Sequence, residues 1–272
     1  MIKTLVIIFA IAFIAVYFTI SIIKNLKTEM NSVQIDFSDP NVSPISIKVA
    51  VIGDIHLAEG EDITKFLKLL DEVKSKSPDL VLLVGDYISG RHRIKGIDSH
   101  RRKIINTFKS LDPIPRAVVL GNHDNFTGRE KWFSEFKRLG VDVLENETRI
   151  MNIAGIEVCI RGLGDYRSYR FKFVDYPAEC KNLPKITITH DPQGAFESGV
   201  EGLVFAGHTH CGQVSFPIIG PLKVPTKAPR AAICGLYKDS KRTLFVTSGV
   251  GTSIIPIRYG AQSQWDLIDL SF

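Results

Sequence analysis

The sequence of 272 residues has only four cysteines, Cys159, Cys180, Cys211 and Cys234. None of them is part of a CxxC pair, and their spacings are neither short nor regular. That pattern argues against a zinc knuckle and against a disulfide framework. It favours scattered, mostly buried free thiols, which is a weak indication of a reducing compartment.

The sequence also has little net charge, no fixed-period repeat and no low-complexity tract. A formal charge of +5 does not by itself indicate nucleic-acid binding, and no nucleic-acid partner is expected. Positive charge is concentrated in residues 91–103, which hold six Lys or Arg and one Asp. This stretch is either a solvated loop and helix start, or a surface for anionic headgroups or substrate phosphates. In the second case Arg91 and Arg93 are candidate substrate contacts.

The one long apolar run lies at the amino terminus, where 19 residues from Leu5 to Ile23 carry no charge. A helix of that length rises about 28 Å, close to the thickness of a bilayer core. The run is longer than the core of a signal peptide, and no small-x-small site follows it, so a cleaved signal is the weaker alternative. We therefore predict a transmembrane anchor over residues 1–24, a linker or edge segment over 25–44, and one catalytic domain over 45–272.

Short apolar strands alternate with helical patterns in the first half of that domain. Strands are predicted at 47–52, 80–84 and 116–120, and helices at 62–76, 99–110 and 129–139. This alternation predicts an α/β core with parallel strands. In the second half, a hairpin is predicted over 149–160 and further strands at 186–189, 203–206, 244–247 and 267–270.

Polar residues follow five of these strands at the point where each strand ends. The five groups are Asp54-Ile55-His56, Gly85-Asp86, Gly121-Asn122-His123-Asp124, His190-Asp191 and Gly207-His208-Thr209-His210. Five of the seven histidines fall in these groups, which makes chance placement a poor explanation. Because the carboxyl ends of strands in an α/β sheet form the ligand crevice, the groups should converge on one site.

The residue types in these groups indicate a metal centre. Carboxylate, imidazole and amide ligands favour Mn²⁺, Fe²⁺, Zn²⁺ or Mg²⁺ over a closed, cysteine-rich zinc site, and we expect Mn²⁺ first. The candidates outnumber the ligands of one ion. With one bridging carboxylate they would fill two sites about 3.5–4 Å apart.

The five motifs, complete and in order from residue 54 to residue 210, resemble those of the calcineurin-like metallophosphoesterase superfamily. The resemblance implies an α/β fold of four layers (αββα), in which helices cover two mixed sheets. It implies that Asp54, His56 and His210 bind one metal ion, that Asn122, His190 and His208 bind the other, and that Asp86 bridges them. It further implies that His123 stabilises charge on the scissile phosphate or protonates the leaving oxygen, and that Asp124 orients His123.

The rest of the chain resembles a narrower, membrane-anchored bacterial branch of this superfamily. The resemblance lies in the amino-terminal segment, the Gly-Gln-Val that follows Cys211, Gly235-Leu236-Tyr237 and the ending from Ser248. It implies a single-pass inner-membrane protein with a phosphorylated, lipid-linked substrate, first of all UDP-2,3-diacylglucosamine in lipid A synthesis. That substrate would place the catalytic domain on the cytoplasmic side. The alternatives are a broad phosphodiesterase or phosphatase of soluble substrates and an inactive membrane-tethered scaffold. Cys211 is expected to be a bystander, because a two-metal site supplies its own hydroxide nucleophile.

Overall fold

A computed structural model describes residues 12, 16, 18–38, 44–59, 63–90 and 96–272 of the chain. Residues 18–26 are helical. Within the described ranges, no helix has the length and apolar character needed to cross a membrane. Most of the predicted anchor, 1–24, lies outside the described residues, and so do Arg91 and Arg93.

The α/β core follows the predicted alternation of strands and helices. The strands are β1 (Glu29–Asp36), β2 (Ser46–Ile52), β3 (Leu80–Leu83), β4 (Arg116–Val118), β5 (Glu147–Ile153), β6 (Ile156–Gly162), β7 (Lys185–Ile188), β8 (Gly202–Ala206), β9 (Ser215–Phe216), β10 (Gly220–Pro221), β11 (Gly235–Lys238), β12 (Arg242–Val246) and β13 (Gln264–Ser271). The helices are α1 (Ile63–Ser75), α2 (Ile97–Thr107), α3 (Asn122–Phe126) and α4 (Arg129–Arg138). The strands form two mixed sheets, in the orders β1-β13-β2-β3-β4 and β11-β12-β8-β7-β6-β5, and β9 pairs with β10 alone.

The two sheets pack face to face, which is why their central strands, such as β2, β3 and β8, are apolar at nearly every position. In β2, Val49 and Val51 face the second sheet, whereas Ala50 and Ile52 pack with the helices. A strand that is buried on both faces loses the alternation of polar and apolar residues. The helical side of the first sheet is filled by aromatic residues of α4, of which Trp132 and Phe136 are fully buried.

The fourth layer differs from the expected one. In the continuously described stretch 96–272, no α-helix follows Arg138. The outer face of the second sheet is covered instead by loops and 3₁₀ turns, including Pro192–Phe196 and Arg230–Ala232. The connections on this face contain prolines, which interrupt helices, and single 3₁₀ turns and loops cover the sheet.

The predicted linker over 25–44 contains strand β1, so the first sheet begins at Glu29 rather than at residue 45. β1 pairs in parallel with β13 at the sheet edge, and Ile35 is its one buried side chain. An edge strand needs few apolar residues, so the largely polar sequence EMNSVQID carries no clear strand pattern.

The four cysteines form two disulfides, Cys159–Cys180 and Cys211–Cys234. The expectation of free thiols is therefore wrong, and so is the weak indication of a reducing compartment that depended on it. The cysteine spacings did not predict these disulfides, because each bond joins positions that the fold, and not the local sequence, brings together.

Candidate metal centre

The ends of β2, β3 and β4 bring the first predicted groups to one edge of the first sheet. The backbone N–H of Asp54 donates to the carbonyl of Gly85 at 2.9 Å, and that of His56 donates to Asp86 at 3.0 Å. These two hydrogen bonds continue the parallel pairing of β2 and β3 beyond their last strand residues. The side chains of Asp54, His56 and Asp86 are buried within one cluster as a result.

Most of the proposed ligands adopt a strained backbone conformation. Asp54, His56, Asp86, His208 and His210 all have φ between 48° and 70°. Residues other than glycine rarely adopt this left-handed region, and each instance costs of order 1–3 kcal/mol. The surrounding hydrogen bonds hold these residues where their side chains point at one another.

The first ligand group consists of Asp54, His56 and His210. The Nε2 atoms of His56 and His210 lie 3.0 Å apart, and Asp54 Oδ1 lies 3.4 Å from His210 Nε2. Asp54 Oδ1 is buried and has no hydrogen-bond partner among the described residues. A glycine at 207 is required here, because a Cβ at that position would stand 2.5 Å from Asp54 Oδ2.

The second ligand group consists of Asp86, His190 and His208, and hydrogen bonds fix the tautomers of both rings. His190 Nδ1 lies 2.7 Å from the carbonyl of Val84, and His208 Nε2 lies 3.0 Å from that of Pro225. A carbonyl oxygen can only accept, so both of these nitrogens carry the proton of a neutral ring. The lone pairs therefore lie on His190 Nε2 and His208 Nδ1, which face each other at 3.2 Å.

Asp86 lies between the two groups. Its Oδ2 atom is 3.5 Å from His56 Nε2 and 3.3 Å from His190 Nε2. Its Oδ1 atom accepts the backbone N–H of His123 at 2.8 Å. Asn122, which contributes to the same cavity wall, has a buried Oδ1 atom with no hydrogen-bond partner among the described residues.

This arrangement of donor atoms fits divalent cations. Three electron-pair donors, Asp86 Oδ2, His190 Nε2 and His208 Nδ1, converge on one point, and such a cluster repels itself unless a cation lies between its members. The outward nitrogens of both rings are held by carbonyl groups, which is how proteins orient histidine ligands. The fold thus brings the seven predicted ligands together: Asp54, His56, Asp86, Asn122, His190, His208 and His210. Their role as metal ligands remains a prediction.

The two buried acids of the cluster, Asp86 and Asp54, have pKa values shifted in opposite directions. Burial opposes the ionisation of Asp86, but a protonated His190, the form expected when no cation is bound, outweighs burial and holds the pKa of Asp86 well below its ordinary value. For Asp54, burial dominates and raises the pKa to about 7, while charge on His190 opposes the rise. A bound cation would favour the ionised form of both acids.

His123 is oriented by a backbone amide and not by Asp124. The N–H of Gly90 donates to His123 Nδ1 at 2.8 Å, which places the proton of the neutral ring on Nε2, directed towards Asp86 Oδ2 at 4.0 Å. The expectation that Asp124 orients His123 is therefore wrong. A second proton on Nδ1 would collide with the proton of the Gly90 amide.

Asp124 instead ties the ends of β3 and β4 together. Its carboxylate accepts the backbone N–H groups of Asp86 at 2.8 Å, Tyr87 at 3.0 Å and Gly121 at 2.9 Å. Burial, reinforced by the charge of Asp86, raises the pKa of Asp124 to about 8. Asp124 is thus a positioning residue for the loop that carries Asp86.

Two further residues near the site were not predicted from the sequence. Arg258 is fully buried, and its guanidinium donates to the carbonyls of Ser248 and Gly251 at 2.8 and 2.6 Å while lying 3.1 Å from His210 Nδ1. Asp191 lies 3.9 Å from His208 Nε2. A lone arginine in a late loop has no sequence signal that links it to the histidine motif, whereas Asp191 directly follows His190 and was noted only as its neighbour.

A cavity of about 410 Å³ opens onto the ligands. One side is polar, with Asn122, His123, His208 and the exposed cations Arg167 and Lys223, and the other side is apolar. A second cavity of about 700 Å³ reaches His56 from the side of α1. Within the described part of the chain, Arg167 and Lys223 are the cations placed to meet a substrate anion in the first cavity.

The family model described as Calcineurin-like phosphoesterase matches residues 47–212, which is more than half of the chain. The chain belongs to the calcineurin-like phosphoesterase family, a family of metal-dependent phosphoester hydrolases.

Several relatives are similar to this chain along most of its length. Phosphodiesterase YaeI of Escherichia coli (strain K12) is 26% identical over 244 residues, which cover 86% of this chain and 85% of YaeI. An uncharacterized metallophosphoesterase of Campylobacter jejuni, Cj0846, is 30% identical over 92% of this chain and 65% of its own length. A zebrafish (Danio rerio) transmembrane protein with a metallophosphoesterase domain is 25% identical over 80% of this chain, which spans about half (52%) of that protein. The crystal structure of TT1561 of Thermus thermophilus aligns with a TM-score of 0.47 at 11% identity, over 76% of this chain and 92% of its own.

Proposed function

We propose that this protein hydrolyses phosphodiester or pyrophosphate bonds with two divalent metal ions, Mn²⁺ first among them. The observation that carries the proposal is the position of Asp86, whose Oδ2 atom faces His56 at 3.5 Å and His190 at 3.3 Å. One carboxylate oxygen shared by two ligand groups is the arrangement of a bridged two-metal site. Bound ions of this kind polarise phosphoryl oxygens and make a bound water acidic enough to act as hydroxide at neutral pH.

His123 supplies a hydrogen bond to the substrate in this proposal. Its Nε2–H faces the cluster, and its Nδ1 is engaged by the Gly90 amide. Giving up the Nε2 proton would leave an imidazolate, so the contacts favour stabilisation of developing negative charge over donation of a proton. Arg167 and Lys223 would bind the remaining charge of the phosphate.

The test is metal-dependent hydrolysis of bis(4-nitrophenyl) phosphate by the full-length chain. We expect chelation to abolish turnover, Mn²⁺ to restore it, and elemental analysis to find two ions per chain. Asp86→Asn should lower both metal content and turnover, whereas Asp269→Asn, an exposed acid on β13, should change neither. Full activity in Asp86→Asn would refute the bridging role.

The identity of the substrate and its membrane context are finer proposals. A lipid-linked substrate is supported by the apolar run from Leu5 to Ile23, which we propose anchors the chain to a membrane. UDP-2,3-diacylglucosamine stays a hypothesis whose direct test is the release of UMP. The two disulfides weigh against that substrate, because cytoplasmic thiols are kept reduced and the lipid nucleotide was expected on the cytoplasmic side.

The disulfides also change the proposed placement of the catalytic domain. We propose that it lies on the oxidising face of the membrane, where disulfides persist. A broad phosphodiesterase of soluble substrates remains the alternative, and equal turnover of a soluble diester and a lipid diester would favour it. The complete ligand set weighs against an inactive scaffold.

A further inference from the structure

Two isoleucine-rich loops near the metal centre expose their apolar side chains. The hairpin loop, residues 217–222, comprises the connection from β9 to β10, with Ile218 and Ile219, together with β10 and Leu222. The isoleucine loop, residues 254–257, reads Ile-Ile-Pro-Ile. Ile218 is completely exposed, and Ile254 is 75% exposed. Proteins rarely leave such neighbouring apolar residues in water without an interaction that uses them.

Gln213, three residues after His210, ties the isoleucine loop to the segment that leads into the hairpin loop. Gln213 Nε2 donates to the carbonyl of Ile255 at 2.9 Å, and its Oε1 accepts the backbone N–H of Ser253 at 2.6 Å. The backbone of Ser215 also donates to Tyr259 at 2.7 Å. The loops therefore form one surface, and this surface is continuous with the apolar wall of the 410 Å³ cavity, to which Ile254, Ile255 and Leu222 contribute.

The isoleucines at the tips of both loops are unfavourable for folding. Ile218 has φ of 72° and Ile254 has φ of 62°, the left-handed region that β-branched residues avoid. Glycine or asparagine would fit these positions with less strain, and because both side chains are exposed, either change would forfeit little buried apolar surface. Local stability therefore does not account for isoleucine there, and strain of this kind points to function.

The amino-terminal apolar run meets the base of this surface. Phe18, which belongs to the uncharged run, stacks on Tyr259 with ring centroids 4.8 Å apart and lies 6.3 Å from the ring of Phe216. Val16, Ile20 and Ile23 repeat at helical spacing and are all more than half exposed. This helix thus packs through Phe18 beside the base of the two loops, and its opposite face exposes an apolar stripe.

Positive charge surrounds the surface and negative charge is missing from it. The sequence from 202 to 238 and from 240 to 265 contains no Asp or Glu. Arg230 binds the hairpin loop through the carbonyl of Ile219 at 3.1 Å, and Lys223 is exposed beside it. An apolar patch with a basic rim is the pattern that binds an anionic lipid surface.

We propose that the hairpin loop and the isoleucine loop insert into the surface of an anionic bilayer, so that the cavity over the metal centre opens onto lipid headgroups. The bilayer is favoured over a protein partner because the apolar run that we propose as a membrane anchor packs on the same loops. The accompanying inference, that the substrate is a phosphodiester within a lipid headgroup, rests on the proposed function.

The insertion is tested with the full-length chain bound to vesicles of phosphatidylethanolamine and phosphatidylglycerol. The native Trp132 and Trp265 are fully buried and give a constant background, so Ile218→Trp adds a reporter at the loop tip. Lipids brominated in their acyl chains should quench about half of the added emission. The control, Ile150→Trp on strand β5, should not be quenched. Vesicle-bound protein without quenching at 218, or protection of that site by self-association, would overturn the proposal.

A second variant separates the bilayer contact from the chemistry. Ile218→Asn fits the left-handed backbone and should fold at least as stably as the wild type. It should lower turnover of vesicle-embedded phosphatidylglycerol about tenfold, through lost apolar contact with the bilayer, and leave turnover of bis(4-nitrophenyl) phosphate unchanged. Ile150→Asn should change neither. Wild-type turnover by Ile218→Asn on both substrates would overturn the proposed contact with the bilayer. If the wild type cleaves only the soluble diester, the lipid substrate is refuted and the proposed hydrolase activity stands.

Discussion

Replacing Gly90 by alanine should slow phosphodiester hydrolysis without removing metal ions. The three atoms nearest to a Cβ built at Gly90 all belong to the ring of His123, and Nδ1 is the closest at 2.5 Å. Gly90 lies outside the left-handed region, so alanine fits the backbone there and the added methyl group acts only on that ring. The hydrogen bond from the Gly90 amide to Nδ1 sets the direction of the Nε2–H, which we propose contacts the substrate.

The expected magnitude follows from the distance. Ordinary contact begins at 3.4 Å, so the ring must move by about 0.9 Å to accommodate the methyl group. The ring can give way, because 21% of its side chain is exposed. A displacement of about 1 Å in a catalytic group costs roughly 10²-fold in rate. We therefore expect kcat to fall about a hundredfold with KM changed little.

The measurement combines kcat, metal content and thermal stability for Gly90→Ala, His123→Ala and the double variant. If Gly90 acts through His123, the double variant should be no slower than His123→Ala alone. Gly155→Ala serves as the control for strain alone: a Cβ there meets no atom within 4 Å, but φ of 86° disfavours alanine, so this variant should lose thermal stability and keep wild-type kcat. Wild-type kcat in Gly90→Ala, or a loss of metal from it, would refute the reasoning.

Two further predictions concern stability. Replacing Cys211 and Cys234 together by serine should cost about 3 kcal/mol of unfolding free energy, from a loop closed over 23 residues, and should weaken metal binding because Cys211 directly follows His210. The matched variant replaces Cys159 and Cys180, which are 21 residues apart; it should lose similar stability but keep its metal. Equal metal loss in both variants, measured by elemental analysis, would contradict this prediction. Burial raises the pKa of Asp266 to about 6 from 3.8, so its contribution to stability is full below about pH 4 and is lost as the pH rises through 6. Asp266→Asn should therefore be more stable than the wild type at pH 7, by at most about 3 kcal/mol, and should lose that advantage at pH 4, as urea denaturation would show.

The strand ends and their polar groups could be predicted because the signal is local. An apolar run such as Val49 to Ile52 predicts a strand that is buried on both faces of a parallel sheet. A polar residue directly after it, such as Asp54, is then predicted to lie at the edge of the sheet where ligands bind. The ligand groups follow from that rule together with the family resemblance. The position of Asp86 between the two groups was implied by the family resemblance.

The remainder depends on contacts between residues far apart in the sequence. The amide of Gly90 orients His123 in place of the carboxylate of Asp124, because the direction of a side chain is decided by the loops that surround it. The Cys211–Cys234 bond and the contact of Arg258 with His210 link positions that only the finished fold brings together. The irregular fourth layer reflects proline-containing connections, whose local pattern predicts the loss of a helix but not what replaces it.

The position of β13 has a consequence for the order in which this molecule is made. The last strand of the chain pairs with β1 on one side and with β2 on the other, so a ribosome releases the first two strands of the sheet long before their common neighbour exists. β2 carries Asp54 and His56 at its end, and the loop that Arg258 holds against them also comes late. The newly made chain must therefore keep β1 without a partner, and one edge of β2 open, until β13 emerges. The loop that packs on the end of β2 is held in place only after that stage.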